Sequence, residues 1–291
     1  PELTTREARR YRITRVLSSF ATAYAGDADR IKNLQLAVSL LDGTLLAPGD
    51  AFSFNDVVGP RTEERGFRPA PIIMNGEYEE GVGGGVSQVA TTVFNAAWEA
   101  GLKITDRTAH DLYISRYPLG RDATVNFPDI DLQFVNDTGN WLFMRAASGE
   151  TGIAVTLLGA PTERKVVSNA GLLRETGPPR VKKILDPTLF EGERVVVEDG
   201  EPARSITVTR KVYEDGKVLY SETWTTTYRS EAKTVRVGTL TRPAPPPPPA
   251  AAPPPPPGEK KKPAPPPPPK PGKTTTAPTA TTPTTTGADA P

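Results

Sequence analysis

Cysteine is absent from this chain of 291 residues, and histidine and methionine are rare, with one His and two Met. Without a thiol, the chain can form no disulfide, use no thiolate nucleophile and offer no cysteine ligand to a metal. A zinc site built around a single imidazole would need several carboxylates, so we expect neither a metal nor a cofactor. Acid–base chemistry at neutral pH then has one obvious candidate, His110.

An excess of one charge and a long apolar run are lacking as well. Lys and Arg number 35 against 34 Asp and Glu, which gives a formal net charge of +1. Nucleic-acid binding usually requires a basic excess, so we expect no nucleic-acid partner. No run of about 18 apolar residues predicts a transmembrane helix. We expect any export signal or membrane anchor to lie in an N-terminal segment that is not present in this chain.

Proline is abundant, and most of it lies at one end. The chain has 33 prolines, with unbroken runs at Pro245–Pro249, Pro253–Pro257 and Pro265–Pro269. Such a composition cannot bury a core, and it predicts a disordered, proline-rich tail over residues 242–291. A spacer is the simplest interpretation of the tail. A ligand for proline-binding domains and a segment threading a cell wall are the alternatives.

Residues 1–160 mix helix and strand patterns without regular alternation. Apolar spacing predicts helices over Glu2–Tyr24 and Asp29–Leu41, followed by short strands. A further helix is predicted from about Ser87 to Ala100, with more strands after it. This order predicts an α+β domain in which a central helix packs on antiparallel strands.

The composition changes over residues 161–241, where Thr, Glu, Val and Tyr dominate. Ser205–Tyr213 and Lys217–Tyr228 read as two strands joined by a short turn that ends in Gly216. Bulky apolar residues are few on either face of these strands. We therefore predict a second, all-β domain formed by a thin, extended single sheet with solvent on both sides.

The glycine run Gly83, Gly84 and Gly85 lies directly before the predicted central helix. A helix N-terminus carries unpaired N–H groups and a partial positive charge, and glycines allow another molecule to approach the backbone closely. An anionic or oxyanion group would be stabilised there. No Lys-Ser or Lys-Thr pair follows the run, so it is not a phosphate-binding P-loop.

Five separated segments between residues 18 and 158 form a recognisable set. They are Leu45 to Asn55, Val58 to Phe67, Gly83 to Asn95, Arg107 to His110 and Tyr117 to Val125. Together these segments resemble the VanW family of bacterial cell-envelope proteins. The family is named for its association with glycopeptide-resistance clusters. In its members the position of Ser87 is commonly cysteine, so this chain departs from the family at the atom that would react.

A second stretch, about Arg164 to Thr239, is similar to the G-five domain, which is named for its glycines. Gly192, Gly200, Gly216 and Gly238 match that pattern. The resemblance implies a thin β-sheet module on an extracellular protein that binds N-acetylglucosamine-containing polymers. Some such modules self-associate with zinc. Together the two resemblances imply an extracytoplasmic, wall-associated or membrane-anchored protein.

Ser87, His110 and Asp122 are the candidate catalytic residues. A nucleophile at a helix start gains from the helix dipole, a histidine can serve as its base, and an aspartate can orient that histidine. The alternatives are that Ser87 caps the helix, that Asp122 pairs with Arg107 or Arg121, and that His110 is structural. Because a serine hydroxyl is harder to activate than a thiol, the sequence favours binding over catalysis.

The candidate ligand-binding residues are the glycine run, its neighbouring amide and three arginines: Gly83, Gly84, Gly85, Gln88, Arg61, Arg107 and Arg121. The leading hypothesis is binding of peptidoglycan or another N-acetylglucosamine-containing wall polymer. The first alternative is an enzyme that transfers acyl groups on wall peptides through Ser87 and His110. The second is an adhesion module that self-associates through the G-five-like domain.

Overall fold

The computed structural model describes residues 3–24, 26–74 and 76–243. The described residues up to Arg242 form one compact unit. Apart from its first two residues, the predicted proline-rich tail lies outside the described residues. Within the described ranges, every helix is too short or too polar to cross a membrane.

The described residues form four α-helices, one short 3-10 helix and sixteen strands. The helices are α1 (Thr5–Arg10), α2 (Ala28–Leu41), α3 (Phe54–Val58) and α4 (Val86–Glu99), with the 3-10 helix at Glu63–Arg65. The first nine strands are β1 (Arg15–Ala23), β2 (Leu45–Leu46), β3 (Ala51–Ser53), β4 (Pro69–Met74), β5 (Glu77–Val82), β6 (Lys103–Arg107), β7 (Leu132–Val135), β8 (Leu142–Ser148) and β9 (Gly152–Gly159). The remaining strands are β10 (Lys165–Ala170), β11 (Arg174–Gly177), β12 (Val181–Phe190), β13 (Arg194–Glu198), β14 (Ala203–Glu214), β15 (Lys217–Tyr228) and β16 (Lys233–Leu240).

Helix α4 is the centre of the fold, with twelve of its fourteen residues buried. It packs on α2 and on β1 and β9, in a four-stranded antiparallel sheet of order β1-β9-β8-β2. Its polar side chains find partners inside the core: Thr91 donates to the Ala123 carbonyl, and Asn95 donates to the Arg121 carbonyl. The predicted central helix on antiparallel strands is confirmed.

The prediction of one helix over Glu2–Tyr24 is wrong. Helix α1 is short, with a capping box between Thr4 and Glu7, and the chain then enters strand β1. Strand β1 pairs antiparallel with β9, and Ser18 on it donates to the Ala96 carbonyl of α4 at 2.7 Å. Sheet pairing and packing on α4 therefore override the helical spacing of the apolar residues, because spacing alone records no long-range partner.

The all-β character predicted for the second half is confirmed, but its strands form two sheets rather than one. One sheet has the order β10-β14-β11, with β15 also paired to β14, and a second has the order β12-β16-β13. Alternate residues of β14 are buried, and Ile206 and Val208 belong to the same hydrophobic core as α4. One face of β14 therefore helps to cover the central helix.

Candidate functional site

A cleft of about 800 Å³ lies at the N-terminal end of α4. The glycine run, the β4–β5 hairpin, the loop after β6 that carries His110, and residues 124–130 contribute to its lining. These segments are far apart in sequence. The cleft therefore exists only because α4 brings them to its first turn.

The glycine run occupies a position in which residues with side chains would be strained or would overlap neighbouring atoms. Gly83 and Gly85 have φ values of +86° and +100°, in the left-handed region that favours glycine. A Cβ on Gly84 would lie 2.4 Å from the carbonyl oxygen of Ala70 in β4. Asn33 of α2 donates to the Gly84 carbonyl at 3.0 Å and holds the run in place. The glycines thus let the backbone pack directly on β4 and turn into α4.

Ser87 is the second residue of α4, and Gly85 occupies the cap position without a side-chain cap. The interpretation of Ser87 as a helix cap is therefore wrong. Its Oγ accepts a hydrogen bond from the Val125 N–H at 3.2 Å and lies 3.2 Å from Thr124 Oγ1 and 3.4 Å from the Val125 carbonyl oxygen. Among the described residues, no hydrogen bond joins Ser87 to His110. The hydroxyl ties α4 to residues 124–125.

His110 and Asp122 form a buried pair, and His110 lines the same cleft as Ser87. The carboxylate Oδ2 accepts hydrogen bonds from His110 Nδ1 at 2.8 Å and from the His110 backbone N–H at 2.7 Å. The other oxygen, Oδ1, accepts from Arg107 Nη2 at 3.1 Å and from the Tyr228 hydroxyl at 2.6 Å. Asp122 thus orients His110 and pairs with Arg107 at the same time, which combines two readings that the sequence left as alternatives.

The environment keeps Asp122 ionised. Burial by itself would raise its pKa, but the hydrogen bond and charge of His110, the charge of Arg107 and the hydrogen bond from Tyr228 outweigh burial and lower the pKa to about 2. Burial and the nearby carboxylate raise the pKa of Tyr228, so its hydroxyl keeps its proton and remains a donor. The pair therefore consists of a carboxylate that accepts a hydrogen bond from Nδ1–H of His110.

Asp122 should make the stability of the protein sensitive to acid. Its folded pKa of about 2 lies below the unfolded value of about 3.9, so its contribution is full above about pH 5. That contribution, about 2 kcal/mol, should disappear as the pH falls from about 4 to about 2. Urea unfolding over this range should show the gap between the wild type and Asp122→Asn narrowing as the pH falls. If the difference in free energy of unfolding between the two proteins stays constant over this pH range, the lowered pKa of Asp122 is contradicted.

Three arginines, Arg30, Arg61 and Arg116, are among the described residues that line the cleft. Arg61 donates to Asn55 Oδ1 at 2.7 Å, and its Nη2 is buried without a hydrogen-bond partner in the described part of the chain. Burial lowers the pKa of Arg61 to about 10, which still leaves it charged at neutral pH. A partly buried cation with an unused donor favours the approach of an anion.

Arg30 and Arg116 both line the cleft, and their positive charges repel each other. Burial lowers the pKa of Arg30, and the positive charge of Arg116 lowers it further. Asp111 is the one acidic side chain among the described lining residues, and it pairs with Arg229 at 3.6 Å. An anion bound between the arginines would relieve this repulsion.

The structure brings most of the predicted site residues together. Six of them line the cleft: Ser87, His110, Gly83, Gly85, Gln88 and Arg61. Gly84, the middle residue of the run, is buried and is not among the lining residues, and Asp122 lies behind His110. Gln88 donates to the Ala23 carbonyl at 2.7 Å and accepts from Arg30 at 3.1 Å, so it supports the wall of the cleft.

Two of the predicted ligand-binding arginines lie outside the cleft lining. Arg107 is buried behind Asp122, and its charge is satisfied there. Arg121 donates to Asn95 and pairs with Glu99 at 2.9 Å on α4. Both arginines help to hold residues 120–122 in place, since Arg107 also donates to the Gly120 carbonyl.

Sequence reasoning missed Arg30, Arg116 and Tyr228. Arg30 lies in the first turn of α2, among residues that look like an ordinary amphipathic helix. Arg116 lies near His110 in the chain, and this proximity is the one signal that could have found it. Tyr228 comes from the other predicted domain, and no local pattern connects it with Asp122. Within the described residues, no group of three or more His, Cys, Asp or Glu could hold a metal ion.

Comparison with known families matches two parts of the chain. A family model described as VanW-like protein matches residues 29–158, and a model of the G5 domain matches residues 173–240. Two solved structures also resemble parts of the chain. These are the "Crystal structure of HP0197-G5" (18% identity, TM-score 0.17, 26% of this chain and 100% of that chain) and the "IgA1 Protease G5 domain structure" (19% identity, TM-score 0.19, 28% and 99%).

Two curated relatives match part of the chain. Uncharacterized protein YoaR of Bacillus subtilis (strain 168) is 39% identical over 145 residues, which cover 50% of this chain and 48% of the relative. Vancomycin B-type resistance protein VanW of Enterococcus faecalis (strain ATCC 700802 / V583) is 30% identical over 117 residues, which cover 38% and 42%. The chain spans about half the length of the curated relatives it matches. With the family matches, these relatives show that the chain carries a VanW-like domain over residues 29–158 followed by a G5 domain over residues 173–240.

Proposed function

We propose that this protein acts outside the cytoplasm at the cell envelope and binds peptidoglycan through a carboxylate of its stem peptides. The observation that carries the proposal is that Arg30, Arg61 and Arg116 line one cleft, which lies at the N-terminal end of α4. Arginine pairs with carboxylates through two parallel hydrogen bonds, and a helix N-terminus adds N–H donors and a favourable dipole.

The rest of the cleft suits a peptide better than a small inorganic anion. Its described lining includes apolar side chains from both sides: Ile72, Ile73, Ile114, Phe127 and Ile130. Ligand sites commonly combine such apolar walls with a few polar groups that fix the orientation of the ligand. A short peptide with a free carboxylate and small apolar side chains would satisfy the arginines and the walls together.

The family matches support the part of this proposal that places the protein at the cell envelope. One relative is named for vancomycin resistance, and an envelope role for this chain agrees with that name. The G5 domain match supports a second contact, in which residues 173–240 bind the N-acetylglucosamine-containing strand that carries the peptides. Peptide and glycan contacts on one compact unit would raise the affinity for the intact polymer above that for either part.

Binding should be tested with the full chain. We expect purified, insoluble peptidoglycan to retain the protein in a sedimentation assay. In calorimetric titration, a soluble stem peptide with a free C-terminal carboxylate should bind more tightly than its C-terminal amide. Arg61→Met should weaken binding of the acid about tenfold or more, because one charged hydrogen-bond partner is lost. The amide should respond much less to this substitution.

Arg145→Met is the matched control, because this arginine is about 60% exposed and pairs with Asp42 outside the cleft lining. Its affinity for the peptide should equal that of the wild type. Equal affinity for the acid and the amide would rule out carboxylate recognition. Failure of peptidoglycan to retain the full chain would rule out the wall-binding function.

The His110–Asp122 pair supports a second candidate, acyl transfer on a wall peptide with Ser87 as the nucleophile. A base held by a carboxylate beside a hydroxyl at a helix start is the arrangement that such chemistry uses. Against it, Ser87 Oγ is hydrogen-bonded to residues 124–125. Incubation with muropeptides followed by mass spectrometry would detect cleavage or a Ser87 adduct. Cleavage that persists in Ser87→Ala would exclude this role for the serine.

A further inference from the structure

Two side chains of the G5 domain reach the residues behind the cleft. The Tyr228 hydroxyl donates to Asp122 Oδ1 at 2.6 Å, and Thr226 Oγ1 accepts from Arg107 Nη1 at 3.1 Å. Both residues lie at the end of β15 and are almost completely buried, with 2% and 3% exposure. A strand that begins 59 residues after the end of the VanW-like match, at Lys217 against residue 158, therefore takes part in the polar network around His110.

The loop that carries His110 is attached to the same strand end. The Arg229 N–H donates to the Asp111 carbonyl at 2.7 Å, and Leu112 and Arg229 form a parallel bridge. The Tyr228 ring packs edge-on against Tyr113, with 5.4 Å between the ring centroids. The G5 domain thus holds the His110 loop through a backbone hydrogen bond from Arg229. It holds Asp122, the hydrogen-bond partner of His110, through the Tyr228 hydroxyl.

Each oxygen of the Asp122 carboxylate has two donors, and this fixes its plane. Oδ2 accepts hydrogen bonds from the backbone N–H and the ring of His110, while Oδ1 accepts them from Arg107 and Tyr228. Without the Tyr228 hydroxyl, Oδ1 would keep one donor, and the carboxylate could rotate into a two-point contact with Arg107. Oδ2 would then leave the ring nitrogen of His110.

We infer that Tyr228 is a positioning residue through which the G5 domain completes the cleft of the VanW-like domain. By holding Asp122, it fixes the neutral His110 ring as the Nδ1–H tautomer, which leaves Nε2 as a hydrogen-bond acceptor. Among the described residues no hydrogen bond involves Nε2, and the ring lines the cleft. The ligand in this cleft then has a hydroxyl, amide N–H or ammonium donor as well as a carboxylate, and this part of the inference rests on the proposed function.

The tautomer can be measured directly because His110 is the only histidine of the chain. With ¹⁵N-labelled histidine, spectra recorded over a range of pH contain the signals of one imidazole. Its two nitrogen shifts report which nitrogen carries the proton. We expect the Nδ1–H form in the wild type. Tyr228→Phe should shift the ring toward the Nε2–H form and weaken stem-peptide binding about fivefold, the factor expected for one ordinary hydrogen bond.

Tyr220→Phe is the matched control. This residue lies on the same strand, and its hydroxyl also donates to a carboxylate, that of Asp137, outside the cleft lining. It should leave the His110 spectrum and the peptide affinity unchanged, which separates positioning from general loss of stability.

Two results would overturn the inference. One is a wild-type ring in the Nε2–H form, which decides the matter even where the variant is unstable. The other is a Tyr228→Phe spectrum identical to that of the wild type. The spectra need no ligand, so a protein that shows the expected tautomers but binds no stem peptide contradicts the proposed function alone.

Discussion

Replacing Arg210 by methionine is expected to lower the free energy of unfolding by about 3–5 kcal/mol. Arg210 lies on β14, has 0% exposure and stacks over the Trp98 ring at 4.8 Å. Its guanidinium donates to Glu222 at 2.9 Å, to the Trp98 carbonyl at 2.8 Å and to the Leu102 carbonyl at 3.0 Å.

The physical reason lies at the C-terminal end of α4. The last carbonyls of a helix have no partner within the helix, and a cation there also interacts favourably with the helix dipole. Arg210 supplies both the donors and the charge from the G5 domain. Methionine would fill much of the volume but remove the Arg210 donor from both carbonyls. The Trp98 carbonyl would keep the Gly101 N–H at 3.2 Å, and the Leu102 carbonyl would lose the guanidinium donor.

Chemical denaturation followed by tryptophan fluorescence measures this loss. Lys211→Met is the matched control. Lys211 follows Arg210 on the same strand, and its side chain lies on the exposed face. It should change the free energy of unfolding by less than about 0.5 kcal/mol. Similar losses in the two variants would show that Arg210 does not hold the end of α4.

Gly84→Ala is expected to destabilise the protein by about 3 kcal/mol and to distort the cleft. The new Cβ would lie 2.4 Å from the Ala70 carbonyl oxygen and 2.8 Å from that of Pro71. These are backbone atoms of β4, so no side-chain rotation can relieve the overlap. Strand β4 or the glycine run must move, and the hydrogen bond from Asn33 to the Gly84 carbonyl would be strained.

Two other glycines provide a graded comparison. A Cβ on Gly81 would meet the end of the Ile72 side chain at 2.5 Å, which can rotate away, so Gly81→Ala should cost less. A Cβ on Gly177 would meet nothing within 4 Å, and its backbone is not left-handed, so Gly177→Ala should cause no loss. Thermal unfolding of the three variants measures the order. A Gly84→Ala protein as stable as Gly177→Ala would contradict the close packing of the run on β4.

The two family matches do not correspond to two separate cores. The predicted domains, residues 1–160 and 161–241, were divided by composition, and composition changes between them. In the structure, Ile206, Val208 and Tyr228 share a hydrophobic core with α4. A fragment that ends near residue 160 would expose that side of α4, so the binding and stability experiments need the whole compact unit.

Part of the candidate site was accessible from the sequence. Ser87 and His110 line one cleft, and Asp122 contacts His110, as the spacing and the VanW resemblance led us to expect. The hydrogen bond between Asp122 and Tyr228 could not be predicted from the sequence, because the two residues are 106 positions apart in the chain. The exclusion of Arg107 and Arg121 from the cleft also required the structure, since sequence shows a charge but not where it is satisfied.

The sequence alone determined the chemical inventory: no thiol, a single imidazole, near-neutral charge, a glycine run before a helix and two recognisable families. Those properties follow from composition and short-range spacing, which can be read from each segment without knowledge of its partners in the fold. Tertiary structure decided that β1 is a strand, that β14 covers α4, and that Arg30, Arg61 and Arg116 meet at the cleft. Burial and charge pairing join residues that are distant in the chain, so they exist only after the chain has folded.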